Sequence, residues 1–77
     1  MDEVKLPELG EGITTATVAL WHCRPGDVVA KDDDLVDVVT DKAAFTISAH
    51  RDAAVKSLCV SEGSDVDVGA TLAILEG

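Results

Sequence analysis

Apolar residues along this 77-residue chain come in short runs that alternate with polar ones, cut every few residues by clusters of Gly, Pro, Asp and Ser. That pattern predicts many short strands joined by tight turns. Val4 to Leu6 is a short strand stopped by Pro7, and Glu8-Leu9-Gly10-Glu11-Gly12 reads as a glycine-hinged surface loop. Thr14 to Cys23, rich in β-branched residues and carrying Trp21, is a strand closed by the turn Arg24-Pro25-Gly26-Asp27. Val28-Val29 and Leu35 to Val39 are extended pieces separated by Lys31-Asp32-Asp33-Asp34, a charge run that reads as a solvated turn because a sheet interior could not hold it. Ala43 to Ala49, Ala54 to Val60 and Thr71 to Leu75 complete the strands, with Glu62-Gly63-Ser64 as a turn. No sustained period near 3.6 and no capping box predict a helix anywhere.

Displaced by 37 residues, the chain matches itself. Val18, Trp21, Gly26, Val29, Leu35 and Val38 fall on Val55, Leu58, Gly63, Val66, Leu72 and Leu75. Apolar falls on apolar and glycine on glycine, as expected of two copies of a strand-turn-strand unit, each too small to bury its own apolar face. The expected fold is all-β, a sandwich or flattened barrel of two related halves. Its predicted core is Val18, Leu20, Val29, Leu35, Val38, Ile47, Val55, Leu58, Val66, Leu72 and Ile74.

Between the halves lies Asp41-Lys42-Ala43, flanked by apolar runs, so a lysine is predicted at the tip of a hairpin. Neither Asp41 nor Lys42 suits the positive φ of a primed hairpin turn, and a type I turn is expected instead. A rigid turn offering one amine on a flexible stem suits covalent modification. Acylation would take the formal net charge from −9 to −10. A Schiff-base nucleophile is not indicated, because such lysines are activated by desolvation or a nearby cation, and Lys42 follows Asp41 in a polar turn.

Composition narrows the function further. Lys and Arg number 6 against 15 Asp and Glu, a balance that repels phosphate backbones and anionic lipid and disfavours nucleic acid and membrane as partners. So short a chain makes one domain without a deep catalytic cleft. No apolar run is long enough to cross a bilayer, and no basic segment leads into an apolar one at the N-terminus, so the chain is expected to be soluble and without an address.

The cysteines, Cys23 and Cys59, stand one residue out of register in the repeat and lack metal spacing, and both read as buried thiols. The contiguous Asp32-Asp33-Asp34 lacks the alternate spacing of a calcium loop, and no metal is expected. Trp21 reads as half-buried packing, and His22 as structural or solvated. A hydrolase finds no support in any Ser, His and Asp ordering or carboxylate pair.

At this point the chain resembles a lipoyl domain, the swinging-arm carrier of 2-oxoacid dehydrogenase complexes, along almost its whole length. Leu6-Pro7-Glu8-Leu9-Gly10-Glu11-Gly12 is similar to the family's opening signature, Trp21 with Pro25-Gly26-Asp27 to its first turn, and Thr40-Asp41-Lys42-Ala43 to its lipoylation turn. Glu62-Gly63 and Val68-Gly69 resemble its second-half turns. The chain departs from the family at Ala53, where glycine is common and a positive φ would strain alanine, and at Thr15-Ala16.

The resemblance implies two antiparallel sheets of about four strands each, related by a quasi-twofold axis. It implies lipoic acid in amide linkage on Lys42, with Asp41 and Ala43 read by the lipoate ligase or lipoyl transferase and by the decarboxylase. Glu11 and Gly12, in the loop Glu8 to Gly12 near the lysine, would contribute to partner choice. The implied partners are a thiamine diphosphate-dependent 2-oxoacid decarboxylase, an acyltransferase core using coenzyme A, and a flavin-dependent dihydrolipoamide dehydrogenase. The domain alone would catalyse nothing. It is expected to be monomeric in isolation, to be excised from a longer acyltransferase chain, and to work in a bacterial or archaeal cytoplasm or a mitochondrial matrix. Two alternatives stand beside this: a biotinyl carrier, whose target lysine typically has methionine on both sides, and an unmodified protein-docking module.

Overall fold

A computed structural model describes residues 2–77. Eight strands follow one another along the chain: β1 (Asp2–Lys5), β2 (Thr15–Trp21), β3 (Val28–Val29), β4 (Asp34–Val39), β5 (Ala44–Ser48), β6 (Ala53–Leu58), β7 (Asp65–Asp67) and β8 (Thr71–Glu76). They form two antiparallel four-stranded sheets, ordered β1-β8-β6-β3 and β5-β4-β2-β7. Exchanging β1 with β5, β2 with β6, β3 with β7 and β4 with β8 turns one order into the other, so the repeat in the sequence is a quasi-twofold relation between the sheets.

The relation extends to individual pairs. Val18 faces Val38 and Leu20 faces Asp37, with a bulge between Val18 and Leu20. In the other half Val55 faces Leu75 and Ser57 faces Ile74, with a bulge between Val55 and Ser57. The turns hold by the same exchange: the Gly26 amide donates to the Val55 carbonyl and the Gly63 amide to the Val18 carbonyl, at 2.8 and 2.7 Å. Both glycines have positive φ, 95° and 88°, which explains why the repeat keeps glycine at these positions. Asp32, φ 72°, stands where the second half has Gly69, and a short polar side chain is among the few that tolerate this conformation.

The core between the sheets is wholly apolar among the described residues. Leu6, Val18, Leu35, Val36, Val38, Val55, Leu72 and Leu75 are its largest fully buried side chains. Trp21 packs half-buried against it and joins the halves, its indole N–H donating to the Val60 carbonyl at 3.0 Å and its backbone amide to a Glu62 carboxylate oxygen at 2.9 Å.

Several expectations need correction. Leu20 is 47% exposed, because the bulge resets the alternation of β2 so that Val18 points inward and Leu20 outward opposite Asp37. Ile74, on β8 opposite Ser57 of the bulged β6, is half-buried, with Ala73 and Leu75 taking the inward positions, and Leu58 is half-buried like its mate Trp21. Cys23 is buried, but Cys59 is exposed and both are free. Cys59 occupies the outward site that corresponds to His22, so its one-residue offset in the repeat decides its environment. The three-residue strand β7, with one apolar residue between two aspartates, was not predicted. Ala53 has no positive φ, and sits buried in β6 opposite Val29.

The register also fixes which ends of the molecule lie apart. β2 starts beside the end of β4, where Thr17 faces Val39, and β6 starts beside the end of β8, where Ala54 faces Glu76. The far end of β2 meets the far end of β6 through the Trp21–Val60 bond. The hairpin after β4 and the pair formed by Asp2 and Gly77 therefore stand at opposite ends of a body measuring 34 × 20 × 17 Å.

The inward and outward assignments predict unequal costs for two leucines. Leu72→Ala should lower stability by about 3 kcal/mol through cavity formation, whereas Leu20→Ala should cost less than about 1 kcal/mol. Urea unfolding measures both, and equal losses would place Leu20 in the core after all.

Candidate functional site

The connection between β4 and β5 is four residues, Thr40 to Ala43, and Lys42 is at its tip, exposed together with Asp41 and Ala43. Neither Asp41 nor Lys42 has positive φ, which excludes the primed turns and agrees with the expected type I geometry. No described residue pairs with the Lys42 ammonium.

The turn is built around one side chain. The Thr40 hydroxyl accepts from the amides of Lys42 and Ala43, at 3.1 and 3.0 Å, and donates to the Ala43 carbonyl at 3.1 Å. The Thr40 amide donates to that same carbonyl at 2.8 Å. One hydroxyl thus uses a donor and two acceptor positions inside four residues. Sequence reasoning placed Thr40 in the motif but gave it no role. The signal for it is a threonine at the first position of a turn, where the hydroxyl can bond the amides that follow.

Behind the hairpin a polar row crosses the outer face of its sheet. Thr46 on β5 donates its hydroxyl to Asp37 on β4 at 2.8 Å, and His22, just beyond β2, lies 3.0 Å from the same carboxylate. The Thr46 hydrogen bond, and then that of His22, hold the Asp37 carboxyl below its ordinary value. His22, expected as structural or solvated, is part of this row.

Two open grooves adjoin the hairpin end. One, of about 420 Å3, runs between the start of β2 (Thr15, Ala16, Thr17) and Val39, Thr40 and Asp41. The other, of about 530 Å3, is enclosed by Glu8, Glu11, Gly12 and Ile13 on the loop after β1 and by Asp67 and Val68 across from it. Thr14 continues from that loop into β2, where its carbonyl accepts from the Val68 amide at 2.9 Å. The loop bearing Glu11 and Gly12, both exposed, therefore enters the sheet at the end where Lys42 stands. Asp67 and Val68 were not anticipated as neighbours of this loop, since only the pairing of β7 with β2 brings them there.

The Biotin_lipoyl family, described as "Biotin-requiring enzyme", matches residues 2–75, and the chain belongs to it. Its likeness falls on the lipoyl side. A solution structure of the lipoyl domain of the 2-oxoglutarate dehydrogenase complex from Azotobacter vinelandii superimposes with a TM-score of 0.80 at 35% identity, covering 97% of this chain and 95% of that one. The dihydrolipoyllysine-residue succinyltransferase component of the 2-oxoglutarate dehydrogenase complex from Staphylococcus saprophyticus is 37% identical over 75 residues, 97% of this chain and 18% of that protein. The dihydrolipoyllysine-residue acetyltransferase component of the pyruvate dehydrogenase complex from Bacillus subtilis is 40% identical over 70 residues, 91% of this chain and 16% of that protein. The chain thus spans under a fifth of the length of these relatives, and corresponds to a lipoyl domain, the non-catalytic carrier part of such an acyltransferase. Nothing in these likenesses favours the biotinyl alternative. Among the described residues no helix is long and apolar enough to cross a membrane.

The electrostatics of the polar row give a sign for acid stability. A carboxyl held below its unfolded value contributes stability above that value, near 3.8, and loses it as pH falls through the folded one. Asp2, lowered chiefly by its bond to Arg51, acts in the same direction. The urea midpoint should therefore fall between about pH 5 and about pH 2, and Asp37→Asn should make the fall shallower without abolishing it. An unchanged slope in that variant would remove Asp37 from the account.

Proposed function

We propose that Lys42 carries lipoyl in amide linkage and that the domain moves acyl groups and reducing equivalents between the active sites of a 2-oxoacid dehydrogenase complex. The observation that carries this reading is the exposed lysine, without an ion-pair partner among the described residues, at the tip of a short hairpin in a fold matched by a solved lipoyl domain. The residues present fit the group: the amine projects into water, Asp41 and Ala43 beside it are exposed, and no methionine flanks it as in a typical biotinyl site. When bound, lipoyl supplies a dithiolane that takes up an acyl group with two electrons and gives both up again.

What this chain contributes is attachment, presentation and recognition. Nζ of Lys42 forms the amide bond, and a ligase using lipoic acid and ATP, or a lipoyl transferase, makes it. Asp41 and Ala43 are the nearest groups for those enzymes and for the decarboxylase to read, with Glu11 and Gly12 a second point of contact. The thiamine diphosphate-dependent decarboxylase, the acyltransferase core with coenzyme A and the dihydrolipoamide dehydrogenase are the proposed sequence of partners, and the bacterial relatives favour a cytoplasmic setting. Within a longer acyltransferase chain, tethering raises the effective concentration at each active site to the order of millimolar. Which 2-oxoacid is served follows from the decarboxylase, and the relatives include components of both 2-oxoglutarate and pyruvate complexes.

Incubation with a lipoate ligase, lipoic acid and ATP should add one lipoyl group, mapped by peptide mass to Lys42 and lost in Lys42→Ala. Lysine-specific addition of biotin by a biotin ligase would move the assignment to the biotinyl branch. A folded domain that takes up neither group would be a docking module.

A further inference from the structure

We infer that Thr40 is a positioning residue for modification of Lys42, a role that rests on the carrier reading above. The target amine sits on a four-carbon stem whose end has no fixed place, so an enzyme that selects this lysine must read the backbone of the turn and the side chains beside it. Nothing in the local sequence fixes that backbone by itself. Residues 40–43 contain no glycine or proline, and Asp41 and Lys42 are ordinary residues at negative φ.

Beyond the backbone bond from the Thr40 amide to the Ala43 carbonyl, the fixing comes from the Thr40 hydroxyl. Among the described residues it is the only side chain bonded to the turn, and it takes the amides of both Lys42 and Ala43. Its proton goes to the Ala43 carbonyl, closing the turn on the other side as well. The Lys42 amide is bound directly, so the direction in which the lysine leaves the backbone follows from this hydroxyl. Thr40 and Asp41 also line the groove of about 420 Å3 against Thr15 and Thr17, so the same bonds fix how Asp41 is offered there. Valine at position 40 keeps the shape and β-branching but leaves both amides without this acceptor.

The test compares Thr40→Val, Thr40→Ser and a control, Thr46→Val, which loses a cross-strand bond to Asp37 without touching the turn. Steady-state lipoylation by a lipoate ligase, with domain concentration varied, gives kcat and KM. Urea unfolding gives stability, and amide exchange by NMR reports Lys42 and Ala43. T40V should lose about tenfold in kcat/KM, with faster exchange at those two amides. T40S should stay within about twofold of the parent, as should T46V despite its lower stability. T40V modified at the parental rate would overturn the inference while leaving the carrier reading intact, as would parental amides at 42 and 43 exchanging like free peptide. T46V slowed as much as T40V would reduce the effect to stability and overturn it too. Failure of the parent domain to be lipoylated would sink the carrier reading and this one with it.

Discussion

Each half of this chain makes a small sheet with one apolar face, and among the described residues that face is covered by the matching face of the other half. Burial of that shared layer is the dominant favourable contribution to folding. Leu35, Val36, Val38, Leu72 and Leu75 are all essentially withdrawn from water in this layer, and no polar side chain among the described residues is buried with them. Sheet register is fixed by the same constraint, because a slip of one residue would turn every inward side chain outward. The bulges repeat at Val18/Leu20 and Val55/Ser57 because both halves must bend over the same layer.

Much of this was legible in the sequence where spacing alone carries the information. Alternation and turn residues marked seven of the eight strands, and the 37-residue repeat paired the halves correctly. What escaped depends on long-range pairing. A bulge inserts one residue without a strong local signature, so Leu20 reads as core when it faces outward, and Ile74, opposite the bulged β6, reads as core when it is only half-buried. The repeat held a clue that hydrophobicity masked, since Leu20 corresponds to Ser57 and Ile74 to Asp37. β7 is too short and too acidic to read as a strand on its own, and is ordered by β2, where Thr17 donates to Asp65 at 2.7 Å. At the site, the lysine tip was visible as a polar dipeptide between apolar runs. The His22–Asp37–Thr46 row was not, because three strands must first be in register to bring it together.

Quasi-twofold symmetry would give each half an equivalent of every feature, yet the lysine hairpin has none. Its mate is the place where β8 ends and β1 begins, so the exchange that turns β4 into β8 and β5 into β1 turns a hairpin of consecutive strands into a pair that is not consecutive in the chain. There Arg51 does by charge what the backbone of the hairpin does by covalent connection: it bonds the Asp2 carboxylate and reaches the Gly77 carbonyl at 3.4 Å. His50 adds a second contact to Asp2 at 3.3 Å.

That asymmetry suits the carrier role proposed for this domain. With Lys42 at one end and Asp2 and Gly77 at the other, chain continuing from either would leave the lysine tip unobstructed in the role proposed above. In that proposed role the body, 34 Å along its longest axis, would act as an extension between tether and cargo. A flexible linker spreads the domain over a volume, and the effective concentration at each active site falls as that volume grows. A stiff segment lengthens the reach without adding conformations. In the proposed carrier, the outward-facing hairpin, held by short local bonds, would be recognised as a shape while the stem of Lys42 beyond it stays free to enter a site.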